Sequence, residues 1–166
     1  MAAGALFRAH GPFVAGFLSK MGAARHDLDD LLQEVFLVAH RRGGFVPGPA
    51  RATTWLAEIA VRVLSTHRRT LRRRPTVPED EGAHQAASAA ASPESIASSR
   101  EDLTRLERCL DGLDADHRAV FVLFELEAQS AAEIATGLGV PVGTVHSRLF
   151  NARKRVLAAW AQGENV

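Results

Sequence analysis

Thr144, His146, Ser147, Arg148, Phe150, Asn151, Arg153, Lys154 and Arg155 fall within twelve consecutive positions. Their types suit contact with nucleic acid. Ser, Asn and His side chains hydrogen-bond base edges, and an exposed Phe packs on thymine methyls. Arg and Lys bind phosphates, which position a helix without reading sequence. On a helical wheel, Ser147, Phe150, Asn151 and Lys154 lie opposite Val145, Leu149 and Ala152. His146 and Arg153 flank that polar face on one side, with Thr144, Arg148 and Arg155 on the other. A helix here buries one stripe and offers the other to a groove.

The residues just before supply what would position such a helix. Ser130 and Glu133 form an S-x-x-E capping box that starts a short first helix. Ala135 is small where a second helix must cross closely. Gly139 suits a sharp turn that needs positive φ, and Pro141 suits the first turn of the next helix. Val145, Leu149, Ala152 and Val156 then repeat at helical spacing. This is the layout of a helix-turn-helix, whose second helix enters the DNA major groove. Ser130 joins the candidate contacts at the start of the first helix. The plainer alternative is an amphipathic bundle helix with a solvated basic face, but capping, turn and spacing all coincide with the first reading.

Composition bounds the rest. A chain of 166 residues with 46% hydrophobic content allows one or two small helical domains. Cys109 is the single cysteine, which excludes an internal disulfide or a cysteine-based zinc site. No apolar run reaches membrane-spanning length, and the N-terminus lacks the pattern of a signal peptide, so the expected location is cytoplasmic. The net charge of +1 conceals a gradient. Residues 1–74 carry twelve Lys or Arg against five Asp or Glu, whereas residues 75–99 carry four acids and no Lys or Arg. Arg148, Arg153, Lys154 and Arg155 follow nine of the ten acids of residues 100–166. Two basic zones predict two contacts with a polyanion.

Residues 75–99 are rich in Pro, Ser, Ala and acid and read as a flexible linker. They divide an all-α chain into two helical blocks, 1–74 and 100–166, expected to be separate modules. In the first block, Leu6, Phe7, His10, Phe13, Val14, Phe17 and Leu18 give one helix an apolar face. A second helix starts near Asp27, an apparent N-cap, and runs to about Arg41 over Leu28, Leu31, Leu32, Val35, Phe36 and Ala39. After a Gly/Pro-rich loop at 43–51, a third spans about Ala52 to Arg73. Its core side carries Trp55, Leu56, Ile59, Ala60, Val63, Leu64 and Leu71. Arg51, Thr54, Glu58, Arg62, Ser65, Arg69 and Arg72 line the opposite side. In the second block, Ser98-x-x-Glu101 offers a capping box, Asp114 caps the next helix, and about four helices form a bundle.

These residues carry a family resemblance. The order DLDDLLQEVFLVAHRR, TTWLAEIAVRVLSTHRRTLRRR, linker, then LDGLDADHRAVFVLFELEAQSAAEIATGLGVPVGTVHSRLFNARKRV resembles sigma-70 family RNA polymerase sigma factors. It is similar to the extracytoplasmic function group, which keeps only the second and fourth conserved regions. The resemblance implies a region 2-like three- or four-helix bundle and a region 4-like helix-turn-helix bundle. The first would recognise and melt the promoter −10 element through Arg51, Thr54, Trp55, Arg62, Ser65, Arg69 and Arg72, a basic track with stacking surfaces. The second would read the −35 duplex. The face formed by Asp30, Gln33, Glu34, Leu37 and Arg41 would dock the polymerase, with Leu37 an apolar residue ringed by polar ones. Core RNA polymerase, promoter DNA and an anti-sigma factor are the implied partners, with no cofactor. Arg62 and Thr66 stand where members usually carry Asn and Asp, and His146 and Asn151 where they often carry Arg.

Catalytic chemistry is poorly served. Asp27, Asp29, Asp30 and Glu34 with His26 and His40 could hold a metal, but acids in a first helical turn fit the helix dipole. Cys109 sits on an apolar face. There is no phosphate-binding Gly loop and no nucleophile elbow, so the expectation is a specificity subunit with neither catalytic residues nor metal. A helix-turn-helix regulator that binds an operator alone, and a sigma-like protein that only sequesters partners, are the other classes. Duplex binding without polymerase would mark the regulator; transcription with core polymerase would exclude the sequestering protein.

Overall fold

The helices form where the apolar periodicity asks for them. The structure, a computed structural model, describes residues 2–73 and 93–163. Helix α1 spans Ala3–Lys20. A 3-10 turn at Arg25–Asp27 leads into α2, Leu28–Arg41, and α3 spans Ala52–Arg73. There follow α4 Pro93–Asp111, α5 Ala115–Phe121, α6 Ala131–Leu138 and α7 Val142–Gln162. No strand occurs among the described residues.

Leu6, Val14, Phe17 and Leu18 of α1 pack with Leu31, Val35, Phe36 and Ala39 of α2 and Leu56, Ile59, Ala60 and Leu64 of α3. Leu71, expected in this core, is exposed because the last turns of α3 run past the bundle. Gly43, at φ +82°, ends α2 in a conformation that suits glycine. The Gly43 and Gly44 amides donate to His40 O and Ala39 O, the Schellman pairing that satisfies the last carbonyls. Asp27 differs from its expected role. It has helical φ/ψ and its side chain does not cap α2; its carboxylate instead meets His67 Nε2 at 3.0 Å.

In the second block Cys109, Leu110 and Leu113 pack with Phe121, Ala152 and Val156, which docks α4 on α5 and α7. Asp114 caps α5 as its sequence predicts, accepting from the His117 amide at 3.0 Å. Helix α4 begins at Pro93, inside the stretch expected to be linker, so Ser98 lies within it and not at its N-cap. Pro93 supplies a pre-set φ for a first turn. The rest of that stretch, 75–92, lies outside the described residues.

Both expected helical blocks are present, and in this structure part of the second block's buried surface joins the core of the first. Ala119, Val120, Val122, Leu123, Ile134, Ala135, Val145 and Leu149 belong to the same buried cluster as the α1–α3 residues. The cause is the shape of α6, which has only eight residues. Such a helix cannot bury an apolar surface against α7 alone, and α3 covers what remains. Gly137 makes the approach close: a Cβ there would lie 2.1 Å from Thr54 Cγ2. Thr54 Oγ1 donates to Gln129 Oε1 at 2.6 Å beneath this contact. Arg51 pairs with Glu133 at 2.6 Å, and Lys20 pairs with Glu127. Arg118, almost fully buried, donates through Nε to Lys20 O at 2.7 Å, satisfying a carbonyl at the end of α1.

Candidate nucleic-acid interface

The turn between α6 and α7 is built as its residues demand. Ser130 and Glu133 form the reciprocal capping box, with Ser130 N donating to Glu133 Oε2 at 2.8 Å and Glu133 N to Ser130 Oγ at 3.2 Å. Gly139 turns the chain at φ +66°, and Val140 N donates to Ala135 O. Pro141 occupies the N-cap of α7, one residue earlier than expected. Its carbonyl accepts from Thr144 N at 3.0 Å. Val145, Leu149, Ala152 and Val156 are all buried, and this fixes the rotation of α7.

That rotation exposes His146, Ser147, Phe150, Asn151, Arg153 and Lys154. Phe150 is 69% exposed and so is free to pack on thymine methyls. Thr144 and Arg148 are half-buried at the edge of this face. Ser130 is exposed, with its hydroxyl engaged in the cap.

The sequence reading missed a set of carboxylates behind this face. Arg148 pairs with Asp116 at 2.9 Å, Arg153 pairs with Glu125, and Arg155 lies 3.8 Å from Asp114. The Arg153 guanidinium also sits 5.3 Å from the Phe124 ring centroid, a cation–π geometry. Burial raises the Asp114 carboxyl, but hydrogen bonds from the His117 amide and ring, with the charges of His117 and Arg155, bring it below its ordinary range. These acids come from α5 and the π-helical turn at Val122–Leu126 that follows it. The only hint in the sequence was the run of acids ahead of the basic cluster.

On α3, Arg62, Arg69 and Arg72 are exposed along one stripe, with Ser65 half-buried beside them. Trp55 is half-buried against Phe45, ring centroids 5.7 Å apart. Thr54, expected on the solvent side with these residues, is fully buried because α6 lies over it. Glu58, also expected there, is buried between two guanidiniums: Arg42 Nη1 at 2.8 Å and Arg62. Arg51 is exposed but ion-paired to α6. The structure thus brings Arg62, Ser65, Arg69 and Arg72 together and sets Arg51 and Thr54 apart from them.

On α2, Asp30, Gln33, Leu37 and Arg41 are exposed on one face, and Glu34 is partly exposed, 3.4 Å from Arg41. Leu37 is 49% exposed among them. A groove of about 490 Å³ separates this face from the α3 stripe, lined by Asp30, Glu34, Arg42, Arg62, Thr66 and His67 among others. Among the described residues no helix is long and apolar enough to cross a membrane.

A capped helix-turn-helix with an outward polar face, joined to a three-helix bundle with its own arginine stripe, defines an all-α protein of the DNA-binding class. Comparison with known proteins narrows this. Residues 6–74 match the family model for Sigma-70 region 2, and residues 103–156 match that for Sigma-70, region 4. The chain is 36% identical over 155 residues to the probable RNA polymerase sigma-C factor of Mycobacterium bovis, covering 88% of this chain and 74% of that protein. It is 31% identical over 137 residues to the ECF RNA polymerase sigma-E factor of Escherichia coli, covering 78% and 72%. Among solved structures it is similar to the sigma factor RpoE of Bartonella quintana in complex with the anti-sigma factor NepR. The TM-score there is 0.69 at 20% identity, over 92% of each chain. It is also similar to CnrH in complex with the cytosolic domain of CnrY, with TM-score 0.62 at 26% identity over 94% and 85%. The chain belongs to the sigma-70 family of RNA polymerase sigma factors, in its extracytoplasmic function group.

Proposed function

We propose that this chain joins core RNA polymerase and directs initiation at promoters that it reads in two places. The observation that carries the reading is the exposed face of α7, where base-reading and phosphate-binding side chains stand on a helix rotated outward by its buried stripe. Ser147, Phe150 and Asn151, with Thr144 and His146 at the edges, read the −35 duplex. Arg148, Arg153 and Lys154 set the helix on phosphates, and Ser130 stands at the N-terminus of α6, whose dipole favours an anion. Arg62, Ser65, Arg69 and Arg72, with Trp55 as the stacking surface, hold the −10 strand. Arg51 and Thr54 join them when α6 is displaced. The α2 face around Leu37 docks the polymerase, and residues 1–74 and 100–166 are the two working units. The protein acts in the cytoplasm as a specificity subunit and has no catalytic step of its own. A protein of the anti-sigma class, as in the similar complex with NepR, is a further partner.

Runoff transcription with purified core polymerase on a promoter library tests this directly. Defined start sites, with shared elements upstream, are the expected result. No directed start sites would overturn the proposal. In the same assay Leu37→Asp weakens holoenzyme assembly by roughly tenfold or more, since it buries a charge in an interface; unchanged assembly would reject that docking face.

A further inference from the structure

Glu58 stands one helical turn before Arg62 on α3, where the polar periodicity predicts solvent. It is instead buried, at 9% exposure, and a carboxylate taken out of water must be compensated. Two guanidiniums do this. Arg42, just after α2, donates from Nη1 to Glu58 Oε2 at 2.8 Å. Oε1 has no hydrogen-bond partner among the described residues, and its compensation is the ion pair with Arg62 Nε. Arg42 and Arg62 both line the groove of about 490 Å³ between α2 and α3. Thr66 and Thr70 continue the α3 wall of that groove with small side chains, which leave room for a flat base.

The ion pair takes only the Nε edge of Arg62. The side chain is otherwise 70% exposed, so its two terminal nitrogens are left for a ligand. Arg69 and Arg72, further along the same stripe, have no such anchor among the described residues. The difference decides what each can recognise. A phosphate is bound by charge from many directions, and a neighbouring carboxylate weakens that attraction. A base edge is bound by a planar pair of donors held at one angle. An anchor helps there, because less rotamer freedom is lost on binding. Guanine O6 and N7 are adjacent acceptors that match such a fork. On the same edge adenine sets an amino donor beside N7, cytosine shows an amino donor, and thymine shows a single acceptor. This edge stays open whether or not the base is paired.

The geometry points to Glu58 as a positioning residue: from its buried seat it aims the Arg62 guanidinium as a fixed, two-pronged donor for the O6/N7 edge of a guanine in the −10 element. The assignment rests on the function proposed above and makes guanine the base selected by the α3 stripe.

Holoenzyme is tested by transcription from promoters randomised across the −10 element, with the transcribed promoters sequenced. With the unaltered chain, guanine is favoured by about tenfold or more at one position. Arg62→Ala abolishes that preference and leaves the other −10 positions as they were. Glu58→Gln lowers the preference at the same position by about threefold or more, although Arg62 is still present. Added to Arg62→Ala, it changes the preference no further, since Glu58 acts through Arg62. Glu58→Asp keeps a charge for Arg42 and draws it back from Arg62 by one methylene. It shows the same partial loss and serves if the neutral side chain destabilises α3. Lower output in both Glu58 variants with the base preference intact would make Glu58 a structural residue and overturn its positioning role. Preference for another base at the Arg62-dependent position would overturn the assignment of guanine. So would a loss in Arg62→Ala shared by all sequences with a shallower salt dependence, which marks a phosphate contact. If the unaltered chain directs initiation and no position depends on Arg62, the guanine contact falls and the proposed function stands. If it directs no initiation, both fall.

Discussion

Helices α3 and α7 both present arginines to solvent, but they hold them differently. On α7, Arg148, Arg153 and Arg155 each face a carboxylate from α5, its N-cap or the turn after it. On α3, Arg62 pairs with Glu58, but Arg69 and Arg72 have no carboxylate partner among the described residues. A guanidinium held by a neighbouring acid is oriented, but part of its charge is already spent. An unpaired one searches a wider volume and gives its full attraction to phosphate. The first arrangement suits register on a rigid duplex, where position decides which bases are read. The second suits a flexible strand, where capture matters more than placement.

The strongest way to break this comparison is to show that the two regions are energetically one. Ile134 is fully buried in the core that both share. Ile134→Ala costs about 2–5 kcal/mol. Trp55 reports the first block and Trp160 the second. Denaturation followed through each in turn, with the other replaced by Phe, shifts to the same lower midpoint. Two separated transitions would mean that the common core adds little.

Next in size is the effect on strand capture. Replacing Arg69 and Arg72 by Ala lowers the dependence of log affinity on log salt for a −10 single strand by about 1.4. It leaves −35 duplex binding nearly unchanged. These measurements use holoenzyme, and equal losses at both elements would contradict the division of labour. A smaller and opposite effect is expected on α7. Asp116→Asn frees Arg148, so duplex affinity rises and its salt dependence steepens by up to about 0.9. Folded stability changes little, as for most exposed pairs. A weaker duplex affinity would show that orientation outweighs charge.

The smallest effect is a pH dependence. The Glu133 carboxyl lies below its ordinary range because the Ser130 amide and hydroxyl donate to it, with a further contribution from Arg51. A carboxyl lowered by folding stabilises fully above its unfolded value, and that contribution disappears as pH falls through the folded one. Between pH 8 and 6 the contact of α6 with Arg51 is therefore constant. It loosens only below about pH 4, with the radius of gyration as the measurement. Glu133→Gln, which keeps a capping partner, removes this component and separates it from the nearby titration of Asp114. An acid response identical in that variant would assign the effect elsewhere.

The helix-turn-helix was legible because its signals are local. Gly139, the Ser130–Glu133 box and the Val145–Leu149–Ala152 stripe each act within a few residues, and each appears in the structure as the sequence implies. The bounds of α3 were legible for the same reason. Thr54 and Glu58 were not. Periodicity sorts residues into apolar and polar faces, and a polar face buried by a distant helix looks like a solvated one. The α7 carboxylates were hidden likewise, since Asp116 and Glu125 meet arginines far along the chain. The shared core escaped notice because a linker composition says that two blocks can separate, not that they do.

The missing side chain at Gly137 ties the inheritance of the two halves together. A hybrid that grafted this N-terminal half onto a relative's C-terminal half with alanine at that position would arrive already wedged apart, each piece sound and the pair ill-matched. Recombination that shuffles such halves therefore tests the fit of α6 on α3 as well as the folding of each half.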